Sequence, residues 1–304
     1  MFQYTGTGDR QGHRRLNRNE RPQPQNSRAG EKRLVPLSVW LCSDTMSGTV
    51  KAHDASCSPA TVCGRHRQAV GRELTRHLIG ACTSPGGAVV DLFTTSETVL
   101  VAAAEMGRLG IGCVPRLPVA QHLVGRLRQE LSTDQRAAVR LRPHGSNEMR
   151  KALLGLEGHV DLLIAALPPY PDLGRAARSA PASCPVCRAE QSTLTMPQLS
   201  RLLEDARHVL APGGHLAVIT TARHKRGRLL DLVPGIIRRA DAAGLTYVQH
   251  VIAVRVPVEG DALVVQAGPA ELAQLRRAQS TELPPVVSVH ADVCLFARPG
   301  GGVR

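Results

Sequence analysis

The chain has 304 residues and a mass of 32.5 kDa, a length that suits one or two domains. Apolar residues at 42% and charged residues at 21% supply a sizeable core and exclude a wholly disordered chain. No apolar run approaches the roughly 18 residues of a membrane span, and the N-terminus lacks the apolar stretch of a secretory leader, so a cytoplasmic protein without a membrane partner is expected. The net charge of +13 favours a polyanionic partner. A generic basic surface is the alternative, because 34 of the 38 basic residues are arginine, a bias that a GC-rich genome also writes.

Residues 1–33 are polar, rich in Gln, Asn and Arg, and carry eight basic against three acidic residues. They are expected to form a disordered basic arm. A regular pattern begins near residue 60. His66–Ala81 has helical spacing of Val70, Leu74, Leu78 and Ile79. Ala88–Phe93 reads as a buried strand, Glu97–Arg108 as a helix and Leu109–Val114 as a second strand. A helix over Pro118–Glu130 follows, with proline in its first turn, and a third strand over Ala137–Leu141. Val160–Ala166 is a fourth strand, and Pro168-Pro169 ends it. Pro197–Leu210 is helical and is closed by Pro212-Gly213-Gly214. His215–Thr220 is a fifth strand, Leu229–Ala243 a helix, Tyr247–Val258 a strand and Asp292–Ala297 the last strand. Residues 259–289 form an excursion with a short polar helix at Glu271–Ala278, and 299–304 a flexible tail.

Strands alternating with helices predict a mostly parallel α/β sheet covered on both faces, with an antiparallel hairpin of the last two strands at one edge. Ligands of such sheets bind beyond the carboxyl ends of the strands. The chemistry is therefore expected after Phe93, Val114, Leu141 and Ala166.

Three segments add a family resemblance. PGGAVVDLFTTSETVLVAAAEMGRLGIGCV resembles the S-adenosylmethionine (SAM) motif of amino-group DNA methyltransferases, VDLLIAALPPYP resembles their [D/N/S]-P-P-[Y/F] motif, and LEDARHVLAPGGHLAVIT resembles the helix, turn and strand that follow. The order is that of one circular arrangement of the N4-cytosine/N6-adenine enzymes. It is also similar to tRNA-guanine methyltransferase-like proteins. The resemblance covers residues ~66–297 and implies a Rossmann-like class I methyltransferase sandwich with a seven-stranded sheet over residues 34–298. It implies SAM as cofactor, held by His66, Asp91, Phe93, Thr95, Ser96, Glu97, Thr98, Gly112 and Val114. It places the acceptor base at Leu167, Pro168, Pro169 and Tyr170, with Tyr170 stacked on a flipped base. DNA is the expected partner, with RNA a further option.

The departures from the family pattern fall at the strand tips. Thr95 and Glu97 stand where the family has glycines that ease a tight turn. A carboxylate at Glu97 puts negative charge where the cofactor's own carboxylate would lie. Val114 replaces the acid that binds the ribose hydroxyls, and Ser146 or Asn147 the acid after the third strand. Leu167 replaces the side chain that accepts hydrogen bonds from the target amino group. Two functions follow as expectations: methyl transfer to an exocyclic amino group, or a catalytically inactive relative that binds nucleic acid or partners an active methyltransferase.

Cys184 and Cys187 form one C-x2-C pair within an inserted loop, 172–194. A structural zinc commonly needs two such pairs, and the spacing of His53, Cys57, Cys63 and His66 fits no standard knuckle. Reduced thiols are expected rather than zinc. Arg175, Arg178 and Arg188 of that loop, with Arg14, Arg15 and Arg18 of the arm, are the candidate nucleic-acid contacts, against the alternative of a solvated charged surface.

Overall fold

Beta-strand Ala88–Asp91 is buried along its whole length, as a central parallel strand with helices on both faces must be. In a computed structural model of the chain it lies inside a sheet of eight strands. The structure describes residues 38–42, 70–168, 194–220, 223–225, 228–256, 258–263 and 289–300. All lie in one compact unit, Leu37–Arg304.

In chain order the elements are β1 (Val39–Leu41), α1 (Arg72–Cys82), β2 (Ala88–Asp91), α2 (Thr98–Glu105), β3 (Leu109–Cys113), α3 (Leu117–Glu130), α4 (Thr133–Ala137), β4 (Val139–Arg142) and α5 (Met149–Ala152). There follow β5 (Val160–Ala166), α6 (Met196–Val209), β6 (Leu210–Thr220), β7 (Arg223–Lys225), β8 (Arg228–Leu230), α7 (Val233–Ala242), β9 (Thr246–Val254), β10 (Val258–Glu259), β11 (Ala262–Leu263) and β12 (His290–Ala297). The main sheet runs β1-β9-β12-β6-β5-β2-β3-β4. Every neighbouring pair is parallel except those of β12, which is antiparallel to both β6 and β9. The last two strands thus pair antiparallel near one end of the sheet, as expected. β1 adds an eighth strand outside them, parallel to β9.

The two faces carry separate cores. Leu74, Leu78 and Ile79 of α1 meet Val89, Ile164 and Val293 on one face. Leu202, Leu203 and Ala206 of α6 and Ile236 of α7 meet Leu163, Val218 and Phe296 on the other. Helix α2 is apolar and buried from Thr98 to Ala104, which places it as a core helix. Two glycines of β3 admit it. A Cβ at Gly110 would lie 3.2 Å from the Leu100 carbonyl oxygen, and one at Gly112 would lie 3.1 Å from Leu100 Cδ1.

The strand expected at Tyr247–Val258 ends at Val254, with Val258 in the short β10, and the helix expected at Glu97–Arg108 ends at Glu105. Four further boundaries differ from the sequence expectation, each for a local reason. Helix α1 starts at Arg72 after the extended Gly71. Ser132 and Gln135 form a capping box, which claims residues 133–137 for α4 and delays β4 to Val139. Pro234 belongs in the first turn of a helix. The helix expected from Leu229 therefore starts at Val233, whose N–H is bound by Asp231 Oδ1 at 2.9 Å, and Arg228–Leu230 pairs with Arg223–Lys225 as a ribbon. β6 begins at Leu210, not at His215, because the chain bulges between the pairs Val160↔Leu210 and Leu162↔His215. Gly213 turns that bulge at φ 80°, and its N–H donates to the Arg298 carbonyl at 2.9 Å. Of the other segments, the 1–33 arm, the helix expected at 271–278, most of the 172–194 loop and residues 301–304 lie outside the described residues.

Adjacent glycines of the bulge give a test with two mechanisms. A Cβ at Gly214 would lie 2.7 Å from the Val160 carbonyl oxygen, whereas one at Gly213 meets open space. Urea denaturation should show Gly214→Ala destabilising by ~1–3 kcal/mol through overpacking. Gly213→Ala should cost about 1–2 kcal/mol through its left-handed backbone alone. An unchanged midpoint for Gly214→Ala would contradict the close strand contact.

Candidate functional site

The register levels the strand ends along one edge. Asp91 pairs with Gly112 and Ile164, Cys113 with Arg142, and Ala166 with Ile219. The tips of β2, β3, β4, β5 and β6 are therefore neighbours. Gly145, beyond β4, closes against Pro115, beyond β3, with its open Cβ position 3.3 Å from Pro115 Cγ.

Asp91 is 5% exposed and opens a tight turn. Its Oδ1 accepts the Phe93 N–H at 3.2 Å, and its main-chain carbonyl accepts the Thr94 hydroxyl at 2.8 Å. This is how Asp residues commonly shape turns. Burial pushes the Asp91 carboxyl up to about 7, against the opposite pull of the Phe93 amide and the Thr94 hydroxyl. Thr94 is buried over Gly112, where a Cβ would approach Thr94 Oγ1 to 3.0 Å. Thr95 and Ser96 are half-buried, and Ser96 donates to Thr98 Oγ1 at 3.3 Å.

Glu97 takes φ −74° and ψ −12°, ordinary helical values. The turn closes there without the glycine freedom that the family pattern suggested. Its side chain does not point negative charge into the turn. It is turned to α3, where Glu97 Oε1 meets Arg126 Nη2 at 2.9 Å and Arg126 Nε at 3.1 Å. Only 8% of Glu97 is exposed, so this partner offsets a real desolvation cost.

Val114 and Leu167 belong to the core. Val114 is 3% exposed and its N–H donates to the Arg142 carbonyl at 2.8 Å. Leu167 is 4% exposed and its N–H donates to the Ile219 carbonyl at 2.9 Å. The Leu167 side chain belongs to the same buried cluster as Leu92, Cys113 and Leu163. Pro168 is half-buried beyond it. His66, Pro169, Tyr170, Arg14, Arg15, Arg18, Arg175, Arg178 and Arg188 lie outside the described residues, as do Cys57, Cys63, Cys184 and Cys187. Cys42, Cys82, Cys113 and Cys294 form no disulfide, and no group of three or more metal-ligating side chains occurs among the described residues. No helix among them is long and apolar enough to cross a membrane.

For a SAM-like cofactor the fit is uneven. In the 91–97 turn the Phe93 amide is already taken by Asp91 and the Glu97 carboxylate is paired with Arg126, while the β3 tip offers no acid for ribose hydroxyls. Two surface grooves, of about 710 Å³ beside Trp40 and His77 and about 330 Å³ beside Arg150 and Arg207, lie away from this edge.

The order of the sheet decides the architecture. From β4 inward it runs third, second, first, fourth and fifth strand, and then the final antiparallel strand sits between the fifth and sixth. The chain has the class I methyltransferase fold. A family profile described as DNA methylase, of the N6 and N4 methyltransferases, matches residues 2–114, which run from the N-terminus through β2, α2 and β3. No curated protein sequence matches the chain. Among solved structures it is similar to TrmN from Thermus thermophilus, at 15% identity and a TM-score of 0.42 over 76% of this chain and 50% of that one. It thus spans half the length of TrmN. It is also similar to the 1,6-didemethyltoxoflavin-N1-methyltransferase of Burkholderia thailandensis, at 13% identity and a TM-score of 0.42 over 74% and 76% of the two chains. A third is a putative rRNA-methylase from Clostridium thermocellum, at 13% identity and a TM-score of 0.42 over 73% and 95%.

Sequence reasoning did not find Arg126. Its i,i+4 spacing to Glu130 was readable, but its contact with Glu97 crosses 29 positions.

Two tests follow from the buried groups. The folded pKa of Asp91 lies above its ordinary value of 3.8. Between pH 4 and 7 the native state therefore holds a proton that the unfolded chain has lost. The group's stability contribution is full below about pH 4 and is lost as pH rises through about 7, by an amount on the order of a few kcal/mol. Denaturation at pH 5 and pH 8 should show Asp91→Asn losing less stability than the parent over that interval. An equal loss would refute the raised pKa. Leu167→Asp should cost on the order of 3 kcal/mol at pH 7 by burying a carboxylate, while Leu167→Met should cost less than about 1.5 kcal/mol. Equal stability of the two would show that position 167 faces solvent.

Proposed function

We propose that the protein binds SAM at the 91–98 turn and transfers its methyl group to an exocyclic amino group of a nucleic-acid base, in DNA ahead of RNA. The observation that carries this reading is the hydrogen-bonded turn at Asp91, Phe93 and Thr94, seated directly over Gly112 at the carboxyl edge of a methyltransferase sheet. The DNA methylase profile runs through this turn, and the net charge of +13 suits a phosphate backbone.

When bound, SAM would supply an activated methyl group and leave as S-adenosylhomocysteine, while the methylated nitrogen gives up a proton to solvent. The chain supplies position and charge. The turn's amides and the Gly145–Asn147 segment beyond β4 flank the cofactor, and the edge beyond β5 receives the base. Leu167 offers no side-chain acceptor, so the amino group is oriented by the main-chain carbonyls of Ala166 or Leu167. Tyr170 stacks on the base. Arg14, Arg15, Arg18, Arg175, Arg178 and Arg188 take phosphates. The compartment is the cytoplasm.

The buried Leu167 side chain favours a second reading. In it the chain keeps the fold and a nucleic-acid surface but transfers no methyl, and it serves as partner to an active enzyme. Calorimetric titration of SAM into the protein, followed by methyl transfer from labelled SAM to DNA and to tRNA, separates the two. Micromolar binding with label in either nucleic acid is expected from the first. Binding of DNA, lost steeply with salt, without label transfer would establish the second.

A further inference from the structure

The amino edge of the sheet, opposite the candidate turn, carries the groove of about 330 Å³. The course of the chain puts it there: α6 runs into β6 at Leu210, α7 precedes the start of β9 at Thr246, and the antiparallel β12 ends at Ala297. Arg150, Arg207, His208 and Arg298 line it, and Glu204 is its one acidic lining residue among the described residues. Two of the arginines are anchored by one side of the guanidinium. Arg150 Nε donates to Asp205 Oδ1 at 2.6 Å, with Asp205 buried and Arg150 exposed. Arg298 Nη1 donates to the Leu210 carbonyl. Arg207 is placed by shape. Gly244, just past α7, takes φ 77°, and a Cβ there would lie 2.8 Å from Arg207 Nε. The carbonyl ends of α6 and α7 favour cations here, yet Arg207 donates to no acceptor among the described residues. An arginine already held in place loses little freedom on binding, and its planar fork matches two oxygens of a phosphate.

We propose that this groove is a nucleic-acid contact in its own right: Arg150, Arg207 and Arg298 take phosphates of the backbone at the edge of the sheet away from the methyl-transfer site. This rests on the nucleic-acid substrate inferred above and gives that substrate a second place on the fold. β5 runs from one edge to the other over seven residues, roughly 20 Å. The groove therefore holds backbone several nucleotides from a base at the β5 tip. It sets affinity and orientation, not the choice of base. The net charge of +13 attracts phosphate to the whole surface, and the anchored arginines fix where it settles.

The experiment titrates the full chain into a labelled DNA duplex and into labelled tRNA, read by fluorescence anisotropy over a series of salt concentrations. The variants are Arg207→Glu, Glu204→Gln and, as a control with the same charge change as the first, Arg128→Glu on the exposed side of α3. At about 0.1 M salt, Arg207→Glu weakens binding between about five- and tenfold, and the slope of log affinity against log salt falls by about one. Glu204→Gln tightens binding about twofold, and Arg128→Glu changes it by less than about twofold. Equal weakening by Arg207→Glu and Arg128→Glu means a uniformly basic surface and overturns the proposal. Parental affinity in Glu204→Gln overturns it too. Circular dichroism checks that Arg207→Glu folds; if it does not, Glu204→Gln decides alone. Calorimetry with inorganic pyrophosphate separates a backbone site from a small-molecule site. Micromolar binding by the parent, abolished in Arg207→Glu, would assign the groove to a free phosphate compound and end the backbone assignment. If the parent binds neither nucleic acid, the nucleic-acid reading fails and the groove proposal with it. If the parent binds and Arg207→Glu binds equally well, the groove proposal alone fails.

Discussion

The close approach of a fully buried helix to β3 governs the candidate site. Helix α2 lies against the sheet because Gly110 and Gly112 leave no side chains in its way. Every residue from Thr98 to Ala104 is then removed from water. Whatever stands at the start of such a helix is buried with it. Glu97 stands there, and an isolated carboxylate in that place would be severely destabilising. The neighbouring helix α3 resolves the conflict with Arg126. Glu130 of α3 extends the tie from Arg126 to Arg72 of α1.

Two carboxylates six positions apart meet this burial in opposite ways. At Asp91 burial outweighs the hydrogen bonds from Phe93 and Thr94, so its ionisation is displaced to about pH 7. Glu97 has Arg126 at hydrogen-bond distance and is paired. The pair is open to water on the arginine side, where 40% of the side chain is exposed, so its net contribution is modest. Its effect is chiefly one of direction: it decides where a negative charge points.

Much of the architecture was legible because periodicity and punctuation agree. Val160–Ala166 reads as a strand and is one, bounded as expected. The expected boundaries fail where local chemistry outranks periodicity. The Ser132–Gln135 capping box converts the run into β4 to a short helix, and Pro234 forbids a helix interior at its position. Both signals stand in the sequence and outweigh hydrophobic spacing. β1 is another matter. Its three residues carry almost no pattern, and its place beside Ile252–Val254 is set by tertiary contact. At the site, the substituted tip positions were visible because a motif fixes where they fall. The partner of Glu97 was not. The Arg126–Glu97 contact depends on how α3 crosses the start of α2, and no local pattern encodes that crossing.

The same geometry gives the apolar tips a structural role. Val114 and Leu167 do not stand at an exposed edge. Both side chains are buried, and Leu167 packs into the core of one sheet face. An apolar side chain buried at a strand tip contributes stability on the order of a kcal/mol or more through the area it removes from water. A polar residue placed there would both lose that burial and desolvate a new polar group. Position 167 therefore holds the end of β5 to the core, and its side chain offers no hydrogen-bond acceptor beyond the strand.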